Sequence, residues 1–320
     1  MNQNEIIILI VVIASVLVGL FLLVVLPMLI VTYNIAKKLY FQKLVRTSPD
    51  VNKRECSCLT NEEHVRMFDI GMKFAKQEFK YIKEVQIEND NLKLVGEFFD
   101  YKKDKTVIIS PGRCETIYYS YYFAEIYKDS PYNVLVVDPR GHGNSEGTYS
   151  SVGVKEGEDL NSWAKYLKEQ LNQKEVYIHG LCIGAGGAFK AASLKDTFID
   201  KIIVEGPFKN FYETFKEHTI EEGHMAFPVC NFLISVIKKY TGADIIKNSP
   251  FALASSIEIP VLYIQGRKDK YSLPKHVNKI FNRIKSKNKR LVWYEEGSHS
   301  HLRINNLNEY DKEVLKFLGE

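Results

Sequence analysis

The stretch His179-Gly180-Leu181-Cys182-Ile183-Gly184-Ala185-Gly186-Gly187-Ala188 follows directly on the apolar run 175–179 (EVYIH) and contains the pattern G-x-C-x-G. A buried strand, a sharp turn bearing one nucleophilic side chain and a helix of small residues form a chemically useful order. At the tip of such a turn the backbone is strained, and glycines two places to either side remove the Cβ atoms that would collide there. The Cys182 side chain then projects from the turn. The N–H of Ile183 points toward an oxyanion developing beside it.

Outward from this turn, β-branched runs recur at 106–110 (TVIIS), 133–138 (NVLVVD), Lys201–Glu205 (KIIVE), 260–264 (PVLYI) and 290–294 (RLVWY). Continuous apolar runs of this length suit strands buried on both faces, and the roughly 25–40 residues between most of them suffice for βαβ crossovers. After Thr148, Val154, Leu160, Trp163, Ala164 and Leu167 recur at helical spacing. Glu156, Glu158 and Asp159 stand near the start of that helix, where acids favour its dipole. Upstream, 85–88 and Leu92–Phe99 flank Asn89-Asp90-Asn91 and predict a hairpin covering the first edge of the sheet. One connection is too long for a crossover, with about 55 residues between Glu205 and Pro260. Its surplus, about 208–249, carries Phe211, Phe215 and Phe227. It reads as a lid or substrate pocket over the strand ends, with a packed extra helical layer as the alternative.

The N-terminal part has another character. Residues 6–32 contain no charge and are almost wholly apolar, and about 20 such residues cross a hydrocarbon core of roughly 30 Å. A core helix would show polar breaks, and a signal peptide would begin with basic residues and have a shorter apolar run. A single-span anchor is the expectation, over residues 1–36. Lys37, Lys38, Lys43, Arg46, Lys53 and Arg54 follow the run and none precedes it, which predicts a C-terminal domain on the cytoplasmic side. Residues 37–83 read as a basic juxtamembrane linker. Its Cys56 and Cys58 have no Cys/His partner pair at zinc spacing nearby. Across 320 residues, 43 basic and 39 acidic side chains leave a net charge of +4, too weak for a dedicated nucleic-acid binder. Five cysteines in so long a chain do not read as a disulfide scaffold.

Taken together, residues 84–320 resemble an α/β-hydrolase, the fold whose nucleophile elbow is G-x-S-x-G. Cys182 stands where most members have serine; a minority, including dienelactone hydrolases, use cysteine. The resemblance implies a mostly parallel sheet with helices on both faces and a short helical lid. It assigns the acid to Asp269 in Gln265-Gly266-Arg267-Lys268-Asp269, with Glu205 as the competing carboxylate. His299 in Glu296-Gly297-Ser298-His299-Ser300-His301 falls where the family's loop places its general base. The order Cys182, Asp269, His299 is the family's. Ser110-Pro111-Gly112-Arg113 aligns with the loop that supplies the second oxyanion donor, which would be the N–H of Arg113. This Pro-Gly-Arg form is similar to that of bacterial lysophospholipase-like members. Residues 138–147 (DPRGHGNSEG) match the family's D-x-R-G-x-G-x-S-x-G loop, a structural turn in which His142 has no catalytic role.

The expected function is a membrane-anchored esterase, thioesterase or lysophospholipase working through Cys182, His299 and Asp269 and a covalent acyl-enzyme. Ile183 and Arg113 would form the oxyanion hole, and Phe211, Phe215, Phe227 and His301 would line the pocket for an acyl ester or lipid-like substrate. An acyltransferase on the same residues and a non-catalytic binding scaffold stay open beside it. The sequence has no nucleotide loop and no convincing metal cluster, so no cofactor is expected.

Overall fold

The computed structural model describes residues 2–46 and 61–319; Cys56 and Cys58 lie outside them. Helices α1 (Gln3–Leu20) and α2 (Leu26–Leu44) run through a π-helical turn at Phe21–Val25 as one helix of 42 residues. It is long and apolar enough to cross a membrane. α1 buries no residue, and its large apolar side chains stand exposed.

Next comes α3 (Glu62–Glu78), then the hairpin β1 (Ile82–Asn89) and β2 (Leu92–Phe99). Asn89 pairs with Leu92, so the turn is Asp90-Asn91, one residue shorter than the expected Asn89-Asp90-Asn91, and both have the positive φ of a two-residue hairpin turn. From β3 (Lys105–Ser110) the chain alternates: α4 (Ile117–Ala124), β4 (Asn133–Val137), α5 (Val154–Gln170), β5 (Glu175–Leu181), α6 (Ile183–Ala192) and β6 (Lys201–Glu205). The long connection forms α7 (Phe211–Glu221), α8 (Val229–Thr241) and the short α9 (Pro250–Leu253). β7 (Val261–Gly266), α10 (Pro274–Phe281), β8 (Lys289–Tyr294), α11 (Leu302–Asn305) and α12 (Leu307–Leu318) complete the chain.

The strands form one eight-stranded sheet in the order β1-β2-β4-β3-β5-β6-β7-β8. β1, β2 and β4 pair antiparallel, and every other neighbour pair is parallel. Side chains alternate across the sheet. Val107 and Ile109 face a core with Phe74 of α3, Phe123 of α4 and Val314 of α12, whereas Ile108 faces Trp163 of α5 and Phe189 of α6. Both faces are therefore covered, which is why the strands read as unbroken apolar runs.

Two segments differ from the sequence expectation for 37–83. α3 carries Met67, Phe74 and Ala75 at helical spacing into the core under the sheet, so this part of the expected linker is packed structure. The end of α2 likewise continues past the apolar run and buries Ala36, Tyr40 and Leu44 against Leu233, Val236 and Ile237 of α8. A spacing of four places Ala36, Tyr40 and Leu44 on one stripe of α2.

The turn from β5 into α6 is seated on the end of β3. A Cβ on Gly184 would lie 2.1 Å from the Ser110 carbonyl oxygen and 2.7 Å from that of Pro111. Gly184→Ala is expected to cost about 3 kcal/mol of stability, because backbone cannot move aside as a side chain can. Gly187→Ala on the same helix would press on a side-chain end, Leu160 Cδ1 at 3.1 Å, with the nearest backbone atom at an ordinary 3.5 Å, and is expected to shift stability by no more than about 1 kcal/mol. Denaturant midpoints of the two variants in detergent test the difference.

Candidate active site

Cys182 sits at the tip of the β5–α6 turn with φ 54° and ψ −111°. This is a strained conformation for a residue with a Cβ. Its N–H donates to the Glu205 carbonyl at 3.0 Å, which ties the tip to β6. α6 begins at the next residue, so the N–H of Ile183 belongs to the first turn, where backbone donors have no intrahelical acceptor. Across the turn lies the loop after β3, where a Cβ on Gly112 would be 3.3 Å from that of Cys182. The Gly112 N–H donates to Glu115 Oε2 at 2.6 Å, fixing that loop. The Arg113 guanidinium reaches over to donate to the Lys43 carbonyl of α2 at 3.1 Å.

Asp269 follows β7 and is buried. Its Oδ1 accepts from the N–H groups of Tyr271 and Ser272 at 2.8 and 2.7 Å, which leaves Oδ2 to accept from His299 Nδ1 at 2.7 Å. Gly206 after β6 makes room for the pair. A Cβ there would touch the His299 ring and Asp269 Oδ2 at 3.2 Å, and its φ of 57° suits glycine. Burial disfavours the imidazolium form of His299, but the charges of Asp269 and then Cys182 outweigh it and hold the pKa well above the ordinary histidine value. The other ring nitrogen, Nε2, is buried without a hydrogen-bond partner. An imidazole held by one nitrogen with the other unoccupied is the arrangement a proton shuttle needs.

Glu205, the competing carboxylate, makes no hydrogen bond to His299. It is fully buried and accepts from the Tyr310 hydroxyl at 2.6 Å, with Tyr310 in turn 2.9 Å from His179. Burial pushes its pKa up to about 7, against the opposing hydrogen bond from Tyr310 and the charge of His299.

Two cavities meet at Cys182 and His299. One, of about 270 Å³, is largely apolar and runs between α2 and α7, with Leu39, Phe208, Phe211, Phe215 and Leu233 in its walls. The other, of about 280 Å³, is bordered by the polar residues His64, Lys268, Ser298 and His301, although most of the surface turned to it is carbon. Arg113 and Tyr271 border both.

The structure thus brings Cys182, His299, Asp269, Ile183 and Arg113 together, and places Phe211 and Phe215 on the apolar wall. His301 borders the other cavity, its Nδ1 3.0 Å from Ser298 Oγ and its ring edge-on to His64. Phe227 is absent from both linings and is 73% exposed at the start of α8. That expectation is corrected, because α8 turns Val229, Cys230 and Leu233 inward and Phe227 away. Sequence reasoning missed Leu39, Lys43 and Leu44 of α2 and Tyr271, all at the cavity. The stripe Ala36, Tyr40, Leu44 was the available signal for α2. His142, in the turn after β4, has its Nδ1 3.0 Å from the Arg140 carbonyl. That turn is held by Arg140 on Asp159 and by Asp138 on the Ile117 and Asn144 N–H groups. Among the described residues no group of His, Cys, Asp and Glu is arranged to hold a metal ion.

A family model for the α/β hydrolase fold matches residues 105–227. YqkD of Bacillus subtilis is 30% identical over 220 residues, covering 67% of this chain and 70% of YqkD. The chain belongs to the α/β-hydrolase family. Among solved structures this hydrolase is similar to the Pyrococcus furiosus esterase Pf2001. The TM-score is 0.64 and the identity 27%, over 76% of this chain and 94% of the esterase. It also resembles the lysophosphatidylserine lipase ABHD12 of Danio rerio, 28% identical over 142 residues. That match spans 43% of this chain and only 36% of the lipase.

The buried carboxyl of Glu205 has a consequence for stability. A native pKa raised above the unfolded value contributes stability at low pH that is lost as pH rises through the native pKa. Glu205→Gln removes this loss. Between about pH 5 and about pH 8.5 the variant is expected to gain about 2–3 kcal/mol on the parent. Thermal unfolding across that range tests it, and parallel pH profiles for the two proteins would contradict it.

Proposed function

We propose that this α/β-hydrolase is a membrane-anchored acyl-ester hydrolase with Cys182 as nucleophile, His299 as general base and acid, and Asp269 as its orienting carboxylate. The observation that carries the reading is the 2.7 Å Asp269–His299 pair beside a strained Cys182, at the meeting point of two cavities. The esterase and lipase relatives support the ester class.

The Sγ of Cys182, its proton passed to His299, attacks the ester carbonyl carbon. The tetrahedral oxyanion is held by the N–H groups of Ile183 and Arg113. As the C–O bond breaks, the His299 imidazolium gives its proton to the leaving alcohol, and a thioester links the acyl group to Cys182. Water, deprotonated by His299, then attacks the thioester carbonyl, and the acid departs as the thiol reforms. Throughout, Asp269 keeps the proton on Nδ1, so that Nε2 is the nitrogen that works. The acyl chain lies along Phe211 and Phe215, and the alcohol portion lies in the cavity bordered by His64 and His301. The helix Gln3–Leu44 holds the domain at the membrane, and the lysines after the span favour its cytoplasmic side.

Cys182→Ala in the full-length, detergent-solubilised protein is expected to lower kcat on acyl esters by about 10³-fold or more, and Asp269→Asn by about 10³–10⁴-fold. Intact-mass spectra of the parent under turnover should show one added acyl group. Undiminished turnover by Cys182→Ala would falsify the mechanism.

A further inference from the structure

We propose that the tip of the α7–α8 hairpin, residues 220–228, docks on the bilayer crossed by α1 and α2, so that the open end of the apolar cavity faces the lipid from which the substrate comes. This rests on the membrane-anchored reading above.

Three observations place the tip. First, α2 and α8 run parallel. The Tyr33 ring meets Phe232 at 5.8 Å between centroids, and further along Tyr40 and Phe41 meet Tyr240 at 5.9 and 5.1 Å. Moving back along α8 therefore moves back along α2, toward the uncharged run 6–32. Toward the tip α8 begins at Val229, and its first turn is tied to the turn before it by the Cys230 N–H on the Ala226 carbonyl and the Phe232 N–H on that of Pro228. At 1.5 Å per residue, the start of α8 at Val229 lies about 4.5 Å before Phe232, level with α2 near Ile30, and the tip leaves the helix from there. That level is inside the apolar run.

Second, the tip exposes large apolar side chains: Met225 at 83%, Phe227 at 73% and Ile220 at 52%. Side chains of this kind at the level of a membrane span are covered by lipid at little cost and by water at a large one. Glu221, Glu222 and His224 are exposed on the same tip. The two carboxylates set the depth at the headgroup layer, short of the hydrocarbon centre.

Third, the cavity leads there. Phe211, Phe215, His218 and Glu222, on successive turns of α7, all border it, a path of about 16 Å from the elbow side to the tip. Leu39 of α2 forms the opposite wall. A single-chain amphiphile leaving the leaflet can thus slide tail-first between the anchor helix and α7, reaching Cys182 without its chain crossing water.

Tryptophan at position 227 reads the contact. Full-length Phe227→Trp protein in phosphatidylcholine vesicles is quenched with brominated-acyl phosphatidylcholine and, separately, with aqueous iodide; Leu17→Trp reports on the span itself. Emission from the parent, with Trp163 and Trp293, is subtracted. Brominated lipid is expected to quench the Phe227→Trp signal by about half or more, and iodide to have little effect. Quenching of Leu17→Trp alone overturns the docking and keeps the span; quenching of neither overturns both. Shielding of Phe227→Trp from both quenchers means a protein covers the tip, which also overturns the proposal. These readings need no turnover, so they are independent of the hydrolase chemistry. In a second measurement, Met225→Ser/Phe227→Ser is expected to lose about tenfold in rate on a long-chain ester embedded in vesicles and to keep its rate on a short water-soluble ester. Equal vesicle rates for variant and parent count against the docking.

Discussion

The close approach of α6 to the end of β3 is the constraint on which the site depends. Only a glycine at 184 lets the helix start against the carbonyls of Ser110 and Pro111. That contact holds Cys182 in a backbone conformation it would not adopt alone, and brings the loop of Gly112 and Arg113 within reach of the turn. Local strain of about 1–3 kcal/mol is tolerable when packing on both sides fixes it. Here the packing is the sheet, with the Cys182 N–H fastened to β6 on the other flank.

Around that point the parallel strands deliver the remaining groups by topology. Asp269 and His299 stand after adjacent strands β7 and β8, so their side chains meet across a single strand spacing although 30 residues separate them. The hydrogen bonds that Tyr271 and Ser272 make to Asp269 Oδ1 aim Oδ2 at the imidazole. Nothing in this part of the site relies on a long flexible connection. The α7–α8 insertion is different: α8 leans on α2 and carries α7, and the apolar cavity has its walls on α2 and α7.

Much of this was legible because it is written locally. The strand runs, the glycine-flanked Cys182 and the order of Cys182, Asp269 and His299 are short patterns whose meaning survives without knowledge of distant contacts. Phe227 was misread because the direction of a lid aromatic depends on how its helix rolls against neighbours, and an aromatic in an insertion looks the same whether it faces in or out. The choice between Asp269 and Glu205 also needed three dimensions: both follow strands, but only Asp269 points at the imidazole. α3 and the end of α2 were obscured by their position, since amphipathic stripes beside a strongly apolar run are easily taken for connecting chain.

The hydrogen bond from the Arg113 side chain to the Lys43 carbonyl, with Leu39 and Leu44 in the cavity wall, makes the N-terminal helix more than a tether. In many anchored enzymes the anchor can be cut away to leave an intact soluble body. Here the cut would pass beside the cavity at Cys182: it would strip one wall from it, bare the apolar face of α8, and release the contact that the Arg113 side chain makes with α2. On the proposed function, localisation and specificity would share one helix, so that a change in where the enzyme is held would also change what it accepts.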